Sequence, residues 1–126
     1  MLNCILVIDD DAITRQLYSM ILEEMEVSDR VEAFPYGVQA IEFINTFTPE
    51  IILMDLNMPG IDGFEVIEEL NKNKNRREMK VIVMSAHFAK GQQTKIKELG
   101  VDNYITKPLS EEKVNEVLLK PQMKKN

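Results

Sequence analysis

Three short, uninterrupted apolar runs constrain this chain more than any other feature: Cys4–Ile8, Ile51–Met54 and Val81–Met84. None alternates with polar residues as a half-exposed strand would. Each is closed by a polar group, Asp9, Asp55 and Ser85 respectively. A short apolar run closed in this way reads as a strand buried on both faces. Strands of that kind need helices above and below them, and the intervening stretches have helical periodicity.

From Ala12, Ile13, Leu17, Met20, Ile21 and Met25 mark one stripe of a first helix, with Asp10 or Asp11 as its N-cap. Val38, Ile41, Ile44 and Phe47 outline a second helix, ended by Pro49. Phe64, Ile67 and Leu70 outline a third, after a Pro59–Gly63 turn, and it dissolves in an exposed polar connection, Asn71–Asn75. His87–Leu99 is a weakly apolar fourth helix, expected to be the most mobile, with Gly100 as its C′ residue. Ser110 opens a fifth, carrying Val114, Val117 and Leu118, and Pro121 stops it. Arg30–Phe34 and Asn103–Ile105 are poorer strands suited to sheet edges.

Five strands alternating with five helices imply right-handed crossovers and a parallel sheet covered on both faces. The expected class is α/β: a doubly wound, flavodoxin-like (βα)5 three-layer sandwich, most simply with strand order 2-1-3-4-5, an order taken partly by analogy because burial alone does not fix it. A length of 126 residues fits one domain, residues 1–121, followed by a polar tail, 122–126.

Composition narrows the function classes. A net charge of −6 opposes nucleic-acid binding, which needs a basic patch. The basic clusters Lys72–Lys80 and Lys120–Lys125 are interleaved with polar residues and read as solvated surface. No apolar run approaches the ~20 residues of a membrane span, and the N-terminus lacks the pattern of a signal peptide. A cytoplasmic protein is therefore expected. The single cysteine, Cys4, excludes an internal disulfide and lies where a buried, inert thiol is expected.

In a parallel sheet all strand C-termini meet at one edge, where open α/β folds place their sites. This chain delivers Asp9, Asp10, Asp55, Ser85, Thr106 and Lys107 to that edge. Taken singly, the acids suit helix caps, Ser85 a loop hydroxyl and Lys107 solvated surface. Their convergence after four strands argues for a site. Three carboxylates repel one another unless a cation joins them. Oxygen donors without a Cys or His pair suit Mg²⁺. A carboxylate nucleophile, Mg²⁺, an ammonium and a hydroxyl are the parts for phosphoryl transfer to an aspartate.

Four segments carry a resemblance across essentially the whole chain. They are Ile5–Asp11, Met54–Gly63 (Met-Asp-Leu-Asn-Met-Pro-Gly-Ile-Asp-Gly), Val83–Ala86 and Tyr104–Leu109. In this order and spacing they resemble the receiver domains of two-component response regulators, stand-alone chemotaxis regulators among them. The resemblance implies that Asp55 accepts a phosphoryl group from a sensor histidine kinase or phosphotransfer protein. Asp10 would ligate Mg²⁺ directly, Asp9 partly through water, and Asn57 through its backbone carbonyl. Ser85 would hydrogen-bond the phosphoryl group and Lys107 would ion-pair with it, with Lys107–Pro108 a cis peptide. Ser85 and Tyr104 would form the switch. The face of the fourth helix, fifth strand and fifth helix would be read by a downstream protein target. No nucleic acid or membrane is implied, and the assembly would be a monomer or a weak phosphorylation-linked dimer. Such a domain catalyses only its own phosphorylation and dephosphorylation.

Two positions beside the site have plainer readings. His87 suits a surface position at a helix start as well as an influence on phosphoryl lifetime, and Asp11 suits an N-cap better than a metal ligand. The closest rival is a phosphatase resembling the haloacid-dehalogenase superfamily, with Asp9 as nucleophile and Asp11 as the second acid. Ile13 departs from that motif, which wants Thr or Val there, and no acidic pair ends a strand after Lys107. An FMN module is opposed by the three acids after the first strand, which would repel a phosphate. A receiver excised from a hybrid kinase or multidomain regulator fits as well as a stand-alone one.

Overall fold

A computed structural model describes residues 1–58 and 63–119. Five strands, β1 (Leu2–Ile8), β2 (Ser28–Phe34), β3 (Ile51–Asp55), β4 (Lys80–Ser85) and β5 (Asn103–Thr106), form one sheet in the order β2-β1-β3-β4-β5. Every pairing is parallel. The helices are α1 (Ala12–Glu24), α2 (Gly37–Ile44), α3 (Gly63–Asn71), α4 (Lys90–Glu98) and α5 (Glu111–Lys113), the last continuing as a π-helical stretch, Val114–Leu119. No helix among the described residues is long and apolar enough to cross a membrane.

The apolar runs fold as strands because successive side chains serve opposite faces. Leu6, Ile8, Ile52, Met54, Val81 and Val83 pack with Ala40 and Ile44 of α2, Val66, Ile67 and Leu70 of α3, and Ile96 of α4. Ile5, Val7, Leu53, Ile82 and Met84 pack on the other face with Tyr18 and Leu22 of α1 and with Val114 and Leu118. Each Val, Leu, Ile or Met among them contributes about 1.5–3 kcal/mol on burial. β1, β3 and β4 therefore form a rigid platform beneath the residues at their C-terminal ends. Cys4 is buried within β1, and burial pushes its thiol up to about 11.

Several expected elements differ from the observed ones. The α1 stripe is rotated: Ile13, Leu17 and Met20 are exposed, Ile13 by 77%. The inward lane is Tyr18, Ile21, Leu22 and Met25, at i, i+3, i+4 and i+7. The helix carries two apolar lanes. Tyr18 wins the interior because its hydroxyl accepts a hydrogen bond from the Leu109 amide at 3.3 Å. In α2 the inward residues are Gly37, Ala40 and Ile44, and Val38 faces solvent. The helix stops at Ile44, before Pro49, because Thr46 closes back on the Phe43 carbonyl through its amide and hydroxyl. Phe47 lies past that end, 5.5 Å from Phe43 between ring centroids and 4.9 Å from the Arg30 guanidinium.

α4 begins at Lys90, not His87. The Ser85 hydroxyl binds the His87 backbone, and the side chain of Gln92 caps the Ala89 amide, so the chain turns before it coils. Gly100 has φ +77° and is the expected C′ residue, with the Val101 amide returning to the Ile96 carbonyl at 3.2 Å. Asn71–Asn75 is not simply solvated: Asn71 donates to the Leu99 carbonyl and Asn75 to the Thr48 hydroxyl. It leads into a 3₁₀ turn, Arg76–Glu78. Arg76, expected on solvated surface, bonds the carbonyls of Met79 and Gly100 and the side chain of Asn71. The expected Pro59–Gly63 turn apart from Gly63, the Lys120–Lys125 cluster, the Pro121 stop and the polar tail lie outside the described residues.

Candidate functional site

β1 ends one residue before Asp9, and β3 ends on Asp55. Their parallel register, Ile8 opposite Met54, carries the two carboxylates out of the core side by side. Asp9 is fully buried and Asp55 is 5% exposed, whereas Asp10 is exposed at the rim. One carboxylate oxygen from each of the three lies within 4.8 Å of the others. No other group of three or more His, Cys, Asp or Glu among the described residues is so arranged.

Lys107 reaches this cluster from the end of β5. Its Nζ lies 3.0 Å from Asp9 Oδ2 and 3.2 Å from Asp55 Oδ2. The remaining oxygens are held by backbone: Asp9 Oδ1 accepts from the Asp11 amide at 3.0 Å, and Asp55 Oδ1 from the Asn57 amide at 3.1 Å. Lys107 is held in turn, its amide donating to the Ser85 carbonyl at 2.8 Å. The Lys107–Pro108 peptide is cis.

Charge balance in the cluster is incomplete. Burial raises the Asp55 pKa above the ordinary carboxylate value; the Asn57 amide and Lys107 ammonium oppose this, and Asp9 adds to it. Burial works against the Lys107 ammonium, yet the bonds and charges of Asp9 and Asp55 outweigh it and raise its pKa. One ammonium thus pairs with two of the three carboxylates, and the shortfall is the kind that a hard, oxygen-seeking cation corrects.

Ser85 is buried at the end of β4. Its hydroxyl donates to the His87 carbonyl at 2.8 Å and accepts from the Asn57 side-chain amide at 3.4 Å. Asn57 therefore links the Asp55 turn to the Ser85 strand through its side chain, a contact that the sequence does not disclose. Tyr104, on edge strand β5, is 43% exposed, and its ring centroid lies 5.0 Å from that of Phe88. His87 is exposed. Asp11 caps α1 through the Thr14 amide at 2.8 Å and the Thr14 hydroxyl, and those bonds lower its pKa.

Three supports escape sequence reasoning. Arg15 donates to the Asp9 carbonyl at 2.8 Å, fixing the acidic loop from the first turn of α1. Lys113 bonds the carbonyls on either side of Lys107. Gly63 packs α3 directly beneath the Asp55 turn: its amide donates to the Leu56 carbonyl at 3.1 Å, and a Cβ there would lie 2.8 Å from Leu56 Cα. A glycine at the start of a helix is the one local signal for such close approach.

The family model described as "Response regulator receiver domain" matches residues 5–119. The chain belongs to the response regulator receiver family. Among its relatives, the signal transduction histidine-protein kinase BarA of Shigella flexneri is 32% identical over 116 residues, covering 92% of this chain and 12% of that protein. The receiver thus spans about an eighth of the length of that curated relative. In structure it is similar to the chemotaxis protein CheY4 of Vibrio cholerae, with a TM-score of 0.86 at 21% identity, covering 94% of this chain and 98% of the other. It is also similar to the receiver domain of a Pseudomonas aeruginosa sensor histidine kinase, which has a magnesium ion coordinated in its active site cleft. There the TM-score is 0.81 at 22% identity, with 92% and 93% of the two chains covered. These neighbours share the five-stranded parallel fold expected from the apolar runs.

Proposed function

We propose that this receiver takes a phosphoryl group from a phosphohistidine onto Asp55 in a Mg²⁺-assisted reaction and reports the modification to a protein partner. The observation that carries the proposal is the Lys107 ammonium shared between Asp9 and Asp55, with Asp10 beside them. Asp9, Asp10 and Asp55 would hold the ion, with the Asn57 carbonyl as a further donor. Their all-oxygen donor set and excess negative charge fit Mg²⁺. When bound, the ion offsets charge on the phosphoryl oxygens.

The protein's own groups supply the rest. Asp55, held by the Asn57 amide, presents a carboxylate oxygen to phosphorus. The oxygen–phosphorus bond forms as the phosphorus–nitrogen bond of the donor breaks, and the electron pair returns to the imidazole. Lys107 moves its charge from the carboxylates to the transferred group. Ser85 exchanges its bond to the His87 carbonyl for one to a phosphoryl oxygen, which releases the start of the segment leading to α4. Tyr104, packed on Phe88 in that segment, turns inward as the segment shifts. The α4–β5–α5 face then changes for a downstream protein. A sensor histidine kinase or phosphotransfer protein is the donor, and the domain acts in the cytoplasm as a monomer or a weak phosphorylation-linked dimer.

A small acyl phosphate tests this without a cognate kinase. The wild-type protein should be labelled only with Mg²⁺ present, and Asp55→Asn should abolish labelling. Labelling that persists in Asp55→Asn, or that needs no divalent ion, would overturn the proposal. The phosphatase reading loses its second acid, because Asp11 is engaged as the α1 cap.

A further inference from the structure

Lys113 occupies a position where local rules ask for the opposite charge. Ser110 is the N-cap of α5, and its hydroxyl accepts from the Lys113 amide at 3.2 Å. The residue three past a serine cap is favoured as Glu or Gln, which reaches back to the cap. The helix dipole also disfavours a cation in the first turn. Here the side chain is a lysine, and its ammonium leaves the helix. It donates to the Thr106 carbonyl at 2.6 Å and to the Pro108 carbonyl at 2.8 Å. Those two carbonyls flank Lys107, the residue that spans Asp9 and Asp55. A break with local preference that yields two short charge-assisted bonds marks a residue placed for another purpose.

From this geometry we infer that Lys113 is a positioning residue for Lys107. The segment 106–109 is then fixed at four backbone groups. The Lys107 amide binds the Ser85 carbonyl, the Leu109 amide binds the Tyr18 hydroxyl, and the carbonyls of Thr106 and Pro108 bind Lys113. Two of those four anchors are one ammonium. The long Lys107 side chain must deliver its Nζ to within 3.2 Å of two carboxylates, and a wandering base would spread that charge over a wider volume. Lys113 bonds neither carboxylate and acts through the backbone on either side of Lys107.

The inference rests on the receiver reading of Asp55, and its test separates the two. Labelling of the protein by acetyl phosphate under saturating Mg²⁺ is followed in wild type, Lys113→Met, Lys113→Gln and Lys113→Arg. Loss of the two anchors should slow labelling about five- to tenfold in the Met and Gln variants, with rescue to within about twofold by Arg. In the metal-free protein, hydrogen exchange at the Lys107 amide should accelerate in the Met and Gln variants and recover in Arg. Exchange at the Asp9 amide, bonded to Phe34, should stay as in wild type. Wild-type rates of both labelling and Lys107 exchange in Lys113→Met and Lys113→Gln would overturn the positioning role alone. A wild-type protein that takes no label at Asp55 would overturn the receiver reading, and this one with it.

Discussion

Lys107 carries the electrostatics of the site, and its loss should be felt before any chemistry is measured. Among the described residues it is the cation within salt-bridge reach of the buried Asp9 and Asp55 carboxylates. Removing one partner of a fully buried ion pair costs about 3–5 kcal/mol. Lys107 is partly open to water, so Lys107→Ala should cost about 1–3 kcal/mol in metal-free buffer at neutral pH. Urea unfolding measures this, and a variant as stable as wild type would show that the acids do not depend on the ammonium. Cys4 offers a separate check by pH. Burial raises its thiol from 9.0 to about 11 in the folded chain. Between those values the unfolded chain has released a proton that the folded chain keeps. The contribution of Cys4 to stability is therefore complete below about pH 9 and is lost as the pH rises through 11. The stability difference between wild type and Cys4→Ala should shrink over that window in urea titrations. A constant difference would mean that the thiol is not buried as described.

The elements divide into those that the sequence discloses and those that it does not. β1, β3 and β4 are plain in the sequence, because strands buried on both faces admit only apolar residues, and their ends announce Asp9, Asp55 and Ser85. Helix faces are less so. α1 carries two apolar lanes, and contacts made across the fold, the packing of Leu22 and the Tyr18–Leu109 hydrogen bond among them, decide which turns inward. The same holds for Arg15, Asn57 and Lys113, whose partners are backbone or side-chain groups that periodicity does not reveal. Arg76 is hidden for the same reason: it ties the ends of α3 and α4 to the start of β4 through three groups remote from one another in sequence. Gly63 tests the junction of β3 and α3. A methyl group at that position meets backbone, which cannot move aside cheaply. Gly63→Ala should cost about 1–3 kcal/mol, the usual range for overpacking, and should slow labelling of Asp55 by shifting its turn. Thermal unfolding measures the first effect, and an unchanged midpoint would mean that α3 is not seated as close as the geometry requires.

At the scale of the whole molecule, a chain of net charge −6 gathers three of its acids at one edge of its sheet. A divalent ion that binds the folded chain and not the unfolded one stabilises it by mass action, by about 2.7 kcal/mol at a hundred times its Kd. Saturating Mg²⁺ should therefore raise the thermal midpoint by several degrees, and EDTA should reverse the rise. Asp10→Asn should largely remove the effect, while relief of repulsion keeps the metal-free variant at least as stable as wild type. An Asp10→Asn protein with the full Mg²⁺ response would place the ion elsewhere. The central claim is that Asp55 is the nucleophile, and one measurement addresses it directly. After labelling with acetyl phosphate and Mg²⁺, borohydride reduction converts an aspartyl phosphate to homoserine, and peptide mass spectrometry locates the converted residue. The account predicts homoserine at position 55 and aspartate at positions 9, 10 and 11. Homoserine at position 9, with Asp55 intact, would contradict it.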